Sequence, residues 1–326
     1  MAVIADTADH ISVMRNGVVV ESGSTEKIFT TMHHPYTREL MQASTHVPKV
    51  YARDEQPVDT PPLLVVDKLI REYRLPHKRL FDPPAFFRAV EEVSFSINRG
   101  ENVGLVGESG CGKSTLTRAI LGLESVQGGS VVIDGEKVSV SGDMGLLMRR
   151  KLQVVFQDPY SSFNPRHKVG RLIAEPLHAL NKHQSKREKN EAVISVLERV
   201  GLSASDTTKY IHEFSGGQRQ RLAIARALIS RPSLIILDEA VSALDVSIRA
   251  KILDLLAEVS ASFDIAYLFI SHDLSVVRSV TDRVLVMKDG RIVEEGATEA
   301  VFRAPQHPYT KNLINAAPRI TFGGGR

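Results

Sequence analysis

The sequence predicts an α/β fold in which mostly parallel strands alternate with helices over about residues 63–317. Short apolar runs of strand length alternate with helical stretches here, namely NVGLVG (102–107), LQVVFQ (152–157), SLIILD (233–238) and AYLFIS (266–271). Strands that alternate with helices in this way favour a parallel sheet. A glycine-rich segment between the first run and the helical stretch that follows it fits the same fold.

The composition of the 326-residue chain is that of a globular protein with a hydrophobic core, with 43% hydrophobic and 24% charged residues. A net charge of +3 is too small to indicate a nucleic-acid partner. The one cysteine, Cys111, excludes a disulfide framework, a Cys-ligated cluster and a Cys-rich zinc site. Because no apolar run reaches the ~18 residues that cross a bilayer, we expect any membrane role to come through a partner.

The segment GESGCGKST (107–115) is a complete GxxxxGK[ST] phosphate-binding motif between an apolar strand and a helical stretch. Glycines let the backbone wrap around phosphate oxygens, and N–H groups at the helix start point at the anion. Lys113 is predicted to reach the β- and γ-phosphates, Ser114 to ligate Mg²⁺, and Thr115 to add a phosphate contact. The predicted nucleotide-binding residues of this loop are Gly107, Glu108, Ser109, Gly110, Cys111, Gly112, Lys113, Ser114 and Thr115.

An acidic pair follows another apolar strand, in SLIILDEA (233–240). Asp238 is predicted to hold Mg²⁺ through its water shell, as a Walker-B aspartate does. Glu239 is predicted to orient or deprotonate the attacking water. Taken alone, the pair is equally consistent with ordinary surface residues at the end of a core strand.

The front of the chain repeats its end. Residues 9–40 align without a gap to residues 282–313, and both copies contain HPYT (34–37 and 307–310). Each copy predicts a hairpin, around Asn16-Gly17 or Asp289-Gly290, followed by a helix. Either one small module is used twice, or residues 1–45 are the C-terminal remnant of a preceding domain, which we favour.

The remnant would be joined to the complete domain by a proline-rich linker at 46–62, and the chain would end in a tail at 318–326. Such a chain would be a genuine short form or a truncated reading frame. Because the remnant would lack its native sheet, we expect residues 1–45 to be marginally ordered unless they dock elsewhere.

Further motifs carry a family resemblance over about residues 63–317. FSGGQRQR (214–221) resembles the signature peptide of ABC-type ATPases, and it precedes the acidic strand by a short helix, which is the family order. Gln157 resembles the Q-loop glutamine, SALD (242–245) the D-loop and His272 the switch histidine. A lone histidine at a strand end is usually structural, but five motifs in register favour the functional interpretation.

The resemblance implies a P-loop NTPase of the ABC type, with a RecA-like core sheet, a helical signature subdomain and an antiparallel β subdomain. It implies ATP and Mg²⁺ as ligands and hydrolysis in a head-to-tail dimer, because a subunit's own signature peptide does not reach its own nucleotide. The implied catalytic residues are Glu239, His272, Lys113 and Gln157, and the implied metal ligands are Ser114, Gln157 and Asp238. The implied nucleotide contacts across the dimer interface are Ser215, Gly216, Gly217, Gln218 and Asp245.

The adenine contact is less defined. Tyr73 resembles the A-loop aromatic residue that stacks on the base, but a long loop follows it, and Phe86 or Phe87 is an alternative. Tyr73 as a half-buried core residue is a third interpretation. The sequence departs from the family pattern at Ala240 and Ile211, because each stands where the family usually has a proline. Neither removes a ligand, so we expect activity to survive, with Glu239 held less rigidly.

The segments VFQDPYSSFNPR (155–166) and LVGESGCGKST (105–115) and the HPYT tail resemble dipeptide and oligopeptide importer ATPases. This implies a peptide-transport translocase that lies peripherally on the cytoplasmic face of a bacterial inner membrane. The implied partners are integral membrane permease subunits, an identical or sister ABC ATPase and a periplasmic or extracellular solute-binding protein, without nucleic acid. Nickel, glutathione and antimicrobial-peptide importers share these features, so the solute stays open.

Two alternatives remain. A soluble ABC ATPase that acts on ribosomes or nucleic acid without a permease usually has two complete ABC domains or a long coiled-coil insertion, and the sequence shows neither. An inactive nucleotide-binding module is disfavoured because Lys113, Asp238, Glu239 and His272 are intact.

Overall fold

A computed structural model describes residues 2–44, 46–48, 60–75, 85–138, 145–158, 162–180, 184–242 and 244–316. Its strands are β1 (His10–Arg15), β2 (Val18–Ser24), β3 (Leu64–Arg74), β4 (Phe86–Ile97), β5 (Asn102–Val106), β6 (Gly128–Ile133), β7 (Glu136–Lys137), β8 (Leu152–Val155), β9 (Leu234–Asp238), β10 (Ala266–Ile270), β11 (Arg283–Lys288) and β12 (Arg291–Ala297). Its α-helices are α1 (Ala2–Thr7), α2 (Thr25–Thr31), α3 (Pro35–Ser44), α4 (Lys113–Ile120), α5 (Leu146–Lys151), α6 (Val169–Leu180), α7 (Lys186–Arg199), α8 (Gly216–Leu228), α9 (Val246–Phe263), α10 (Leu274–Val280), α11 (Thr298–Arg303) and α12 (Pro308–Ala316). Short 3₁₀ helices cover Ala204–Thr208 and Ile211–Glu213. Residues 49–59 of the predicted linker, the tail at 318–326, residues 76–84 and Ala243 lie outside the described residues.

The central sheet has the strand order β12-β11-β5-β10-β9-β8. Strands β11, β5, β10, β9 and β8 run parallel, and β12 joins the edge antiparallel to β11. The strand prediction for the four apolar runs is therefore confirmed. Because all these parallel strands end at the same edge, the residues that follow β5, β8, β9 and β10 gather there.

Two hydrophobic cores lie on the two faces of this sheet. Alternate side chains of a strand point to opposite faces, so Ile235 and Leu237 of β9 enter one core while Leu234 and Ile236 enter the other. The first core also contains α6 to α10, and the second contains α4 and the antiparallel sheet. Burial on both faces explains why these strands are apolar throughout rather than alternating.

The second sheet is antiparallel, in the order β4-β3-β6-β7, and packs over α4. The helical part contains α6, α7 and α8, and the 3₁₀ residue Ile211 is fully buried there. An aliphatic residue at this position therefore fills the core in place of the family's usual proline. The three-part architecture expected from the sequence is present.

The two copies of the repeat have the same fold. The hairpins β1–β2 and β11–β12 carry a register shift at the equivalent place, between Val13 and Met14 and between Val286 and Met287. Each hairpin is followed by two short helices, α2 and α3 or α11 and α12, where the sequence predicted one. The first copy has a small core of its own, composed of Val13, Ile28, Phe29 and Met41.

The first copy docks on the main domain. Helix α3 packs against α9, and Nε2 of His46 lies 2.8 Å from Oδ1 of Asp254 on α9. Across the described residues, no helix combines the length and the apolar character that a membrane span needs.

Candidate functional site

The phosphate-binding loop connects β5 to α4 at the carboxyl edge of the central sheet. The ammonium group of Lys113 is almost fully buried and donates to the carbonyl oxygens of Gly107 and Glu108, both at 2.8 Å. The Cys111 thiol lies 3.7 Å from the same nitrogen. The loop is thus closed around its own lysine, whose charge lies at the N-terminus of α4.

Glycine is required at both ends of this loop. Gly107 and Gly112 have φ angles of +155° and +111°, which L side chains rarely adopt. A Cβ on Gly107 would lie 2.2 Å from the carbonyl oxygen of Met287, and one on Gly112 would lie 2.2 Å from that of Ala89. Close backbone packing on β11 and β4 therefore fixes these two positions of the motif.

The acidic pair and the histidine meet at the same edge. Oε1 of Glu239 lies 3.2 Å from Nδ1 of His272, which follows β10. Burial raises the pKa of the Asp238 carboxyl, and the neighbouring Glu239 charge raises it further, while Arg118 and Lys113 partly oppose this. Two predicted catalytic residues, Glu239 and His272, thus lie within hydrogen-bond distance of each other. The positive charges of Arg118 and Lys113 offset only part of the effect of burial on Asp238.

The backbone of Glu239 is held despite the missing proline at position 240. Glu239 has a left-handed φ of +50°. Its N–H donates to Ile270 O at 2.9 Å, and its carbonyl accepts from the N–H and the hydroxyl of Ser242. In this chain β10 and Ser242 therefore restrain Glu239 on both sides, although position 240 is an alanine.

The Q-loop and D-loop residues also lie together. The Gln157 amide donates to the Ser242 hydroxyl at 3.4 Å. Asp245 is the N-cap of α9, and its Oδ1 accepts from the Ile248 N–H at 3.0 Å and from the Ser247 hydroxyl. The carboxylate of Asp245 therefore orients the helix start within this chain.

The signature peptide begins α8. Ser215 is the N-cap and forms a reciprocal capping box with Gln218: the Gln218 N–H donates to Oγ of Ser215, and the Ser215 N–H donates to Oε1 of Gln218. Gly217 is buried, and a Cβ there would lie 2.4 Å from Cγ2 of Ile248. Gly216 is exposed, and a Cβ there would meet no described atom within 4 Å. Packing thus explains Gly217, whereas the described chain gives no internal reason for Gly216.

Of the proposed adenine contacts, Tyr73 lies beside the phosphate loop. Its hydroxyl donates to Glu124 at 2.6 Å and lies 3.4 Å from the Thr115 hydroxyl. The Arg71 guanidinium lies over its ring, 4.4 Å from the centroid. Phe87 pairs with Tyr73 across β3 and β4, whereas Phe86 pairs with the next residue, so Phe87 shares the face of Tyr73. Both phenylalanines are more than half exposed.

Two further residues at this site, Glu124 and Tyr309, were not predicted from the sequence. Glu124 accepts from Tyr73, Arg71 and Arg118, and although burial raises its pKa, these hydrogen bonds bring the pKa below its usual value. Tyr309 of HPYT accepts a hydrogen bond from the Glu108 N–H at 2.9 Å. The recurrence of HPYT was a usable signal for Tyr309, but nothing in the sequence placed it near residue 108.

The oxygen donors at this edge fit Mg²⁺. Ser114, Gln157 and Asp238 offer hydroxyl, amide and carboxylate oxygens, which are ligands that this hard cation prefers. The incompletely compensated carboxyl of Asp238 fits a nearby cation as well. In the described part of the chain, no group of three or more His, Cys, Asp and Glu side chains could hold a metal on its own.

Two family profiles match the chain. The profile described as ABC transporter matches residues 90–242, and that of the oligopeptide/dipeptide transporter C-terminal region matches residues 20–64 and 293–325. The second profile therefore matches both copies of the repeat.

Curated relatives include the glutathione import ATP-binding protein GsiA of Escherichia coli O6:H1, which is 45% identical over 98% of this chain. The protein of the same name from Shigella sonnei is 44% identical over 98% of this chain. The chain spans 55% of the length of each of these relatives.

Solved structures share the fold. The structure of cbiO1 from Clostridium perfringens, part of the ABC transporter complex cbiONQ, superposes with a TM-score of 0.63 and 28% identity over 74% of this chain and 91% of that chain. The ATP-binding cassette MJ0796, in a post-hydrolysis dimer bound to ADP and Pi, gives a TM-score of 0.63 and 27% identity over 72% and 98%. With its phosphate loop, signature peptide and repeated C-terminal region, the chain belongs to the ABC transporter ATPase family, in the group with the oligopeptide/dipeptide transporter C-terminal region.

Proposed function

We propose that this chain is the ATP-binding and ATP-hydrolysing subunit of a peptide importer, and that it couples ATP turnover to transport through a membrane permease. The observation that carries the proposal is the convergence of Lys113, Asp238, Glu239 and His272 at the ends of three adjacent parallel strands. The oligopeptide/dipeptide transporter C-terminal region packs against this same phosphate loop.

Lys113 and Asp238 would bind the reacting phosphates and the metal. The buried ammonium of Lys113 would exchange its two carbonyl partners for phosphate oxygens, and α4 would direct its N-terminal N–H groups at the same anion. Mg²⁺, when bound by Ser114, Gln157 and Asp238, supplies charge neutralisation between the phosphates. Phosphoryl transfer at such a site consists mainly of positioning and charge stabilisation.

Glu239 would orient or deprotonate the attacking water. Its carboxylate lies at hydrogen-bond distance from the imidazole of His272, and its backbone is held by β10 and Ser242. His272 is well exposed, with 61% of its side-chain surface accessible, so a γ-phosphate would have access to its imidazole. We therefore assign His272 the switch role and Glu239 the role of the base.

The signature peptide would complete the site of a second ABC subunit. Gly216 is open to solvent at the N-terminus of α8, although neither its backbone conformation nor the described packing requires glycine there. This fits a phosphate that approaches Ser215, Gly216 and Gln218 from another subunit, with Gly217 holding α8 close to α9. ATP binding would close such a dimer and hydrolysis would open it, which is a differential-binding switch.

This ATP-hydrolysing subunit would act on integral membrane permease subunits at the cytoplasmic face of a bacterial inner membrane. The complex would also contain a solute-binding protein. A pull-down of the tagged chain from detergent-solubilised membranes tests this, with an unrelated tagged protein as control. Recovery of a multi-span permease is the expected result. Recovery of ribosomal or DNA-repair proteins without a membrane protein would contradict the importer role and favour the soluble alternative.

We also infer that residues 1–45 correspond to the last part of another ABC domain. The copies share more than sequence: Glu21 accepts from the N–H groups of residues 33 and 34, as Glu294 does from those of 306 and 307. In the second copy, β11 pairs with β5, and Met287 is fully buried. In the first copy, the equivalent edge of β1 has no neighbour among the described strands, and Met14 is 58% exposed.

Hydrogen exchange tests this domain proposal. Amides of β1 should exchange much faster than the equivalent amides of β11, because no described strand pairs with β1 at the edge where β5 pairs with β11. Equal protection of the two strands would mean that the edge of β1 is covered as that of β11 is, and it would contradict the inference that this edge is made to pair with a further strand.

A further inference from the structure

The phosphate-binding loop is held from outside by the C-terminal repeat. The Glu108 N–H donates to the Tyr309 hydroxyl at 2.9 Å, and the Gly290 N–H donates to Cys111 O at 2.9 Å. The first contact fixes the start of the loop, directly after Gly107. The second fixes the residue before Gly112, so the repeat holds the loop near both of its ends.

Tyr309 is itself firmly positioned for this contact. It is only 7% exposed, its N–H donates to Nδ1 of His307 at 3.1 Å, and the Lys288 ammonium lies 5.1 Å from its ring centroid. Burial raises the pKa of the tyrosine hydroxyl, which therefore stays neutral at physiological pH. A neutral hydroxyl in a fixed position is a suitable acceptor for the Glu108 N–H.

Comparison with the first copy of the repeat shows whether the repeat needs this contact for its own packing. Tyr36 is the equivalent residue, its N–H donates to Nδ1 of His34 at 3.1 Å, and Arg15 lies over its ring at 4.9 Å. Both rings thus have the same backbone contact to a histidine and a cation over one face, although Tyr36 is less buried than Tyr309. Only in the second copy does the hydroxyl accept from the phosphate loop, so this contact is not a requirement of the module's own fold.

We propose that Tyr309 is a positioning residue for nucleotide binding, which holds the Glu108 amide and so keeps the phosphate loop in its binding conformation. The inference rests on the proposed ATP binding by this loop. Without the hydroxyl, a smaller fraction of the protein has the binding-competent loop, and the apparent affinity falls by that fraction. Lys113, Glu239 and His272 remain in place, so turnover at saturating ATP is largely unchanged.

The test is Tyr309→Phe in the full chain, with Tyr36→Phe as the matched control. A typical hydrogen bond contributes about 0.5–1.5 kcal/mol, which is about a 2- to 12-fold change in affinity. We expect Tyr309→Phe to weaken ATP and ADP binding by the same factor in this range, because the loop holds phosphates that both nucleotides have. Tyr36→Phe should bind both nucleotides like the wild type, and kcat should change less than twofold in either variant.

Several outcomes would overturn the inference. Wild-type affinity in Tyr309→Phe would show that the hydroxyl does not position the loop. Equal losses in both variants would indicate a general effect on the repeat, and a loss confined to ATP would place the hydroxyl at the γ-phosphate. Absence of nucleotide binding in the wild type is distinguishable from all of these, and it would contradict the proposed function together with the inference.

Discussion

Replacing either of two adjacent glycines of the signature peptide by alanine should change the stability of the chain, but in opposite directions. Gly217→Ala places a methyl group 2.4 Å from Cγ2 of Ile248, where ordinary contact begins at 3.4 Å. Ile248 lies in α9, and a β-branched side chain in a helix has one strongly preferred rotamer. The side chain therefore has little freedom to turn away, and α8 must move from α9 by about 1 Å.

The size of the effect follows from this overlap. Overpacking of a well-packed core costs about 1–3 kcal/mol, which lowers Tm by roughly 2–12 °C at the ~2–4 °C per kcal/mol typical of domains of 150–250 residues. Gly216→Ala meets open space at an ordinary φ, so it should stabilise the chain by about 0.4–1 kcal/mol through the unfolded state. It should nevertheless reduce ATP turnover, because the methyl group occupies the surface that we assign to the partner's γ-phosphate.

Thermal and urea unfolding of the two variants, together with phosphate release, check these expectations. Ile248→Ala removes the obstructing Cγ2, so in the Gly217→Ala background it should cost less stability than in the wild type. Equal shifts of Tm in Gly216→Ala and Gly217→Ala would refute the packing argument. Undiminished turnover in Gly216→Ala would refute the role of this position in a second subunit's site.

Three further predictions concern the surroundings of the site. The hydrogen bond from Arg278 lowers the pKa of Glu299 from 4.5 to about 2. Because the ionised carboxylate stabilises the folded chain, Glu299→Gln should lower the midpoint of urea unfolding above pH 4.5. The difference in midpoint between the variant and the wild type should vanish as the pH falls through about 2. Tyr73→Ala should weaken ATP binding more than Phe87→Ala, because Tyr73 lies at the phosphate loop, and the reverse order in a calorimetric titration would assign the adenine contact to Phe87. Asp254→Asn should make residues 1–45 more sensitive to limited proteolysis, because it weakens the contact between Asp254 and His46. The Tm of the main domain should stay the same, since a partly exposed pair of this kind contributes at most about 1 kcal/mol. Unchanged cleavage would show that His46 does not hold the first repeat on the main domain.

The sequence predicted the sheet and the phosphate loop well because their signals are local. Burial on both faces makes the parallel strands continuously apolar, and the backbone conformations of Gly107 and Gly112 admit glycine almost exclusively. The repeat was predictable for a similar reason. Asn16-Gly17 and Asp289-Gly290 adopt the same left-handed pair of residues in both hairpins, and this turn restricts the choice of residues.

The following contacts, which the sequence did not predict, join residues far apart in the chain. Glu124 with Tyr73 and Glu108 with Tyr309 depend on how the antiparallel sheet and the last helix pack beside α4. The restraint on Glu239 was missed because it comes from β10, whereas the sequence showed only the neighbouring alanine. Docking of α3 on α9 was anticipated only as a possibility, since nothing in residues 1–45 indicates which surface they would cover.

We propose that Glu239 acts on water at a loop that binds ATP, and a paired measurement of ATP affinity and turnover in Glu239→Gln tests this role. The exposed Glu258 on α9 provides a charge-matched control, Glu258→Gln. We predict that Glu239→Gln binds Mg-ATP within a few-fold of wild-type affinity while phosphate release falls by about 10²–10⁴-fold, and that Glu258→Gln behaves like the wild type. Unchanged turnover in Glu239→Gln, with ATP bound, would contradict the role of Glu239 in hydrolysis.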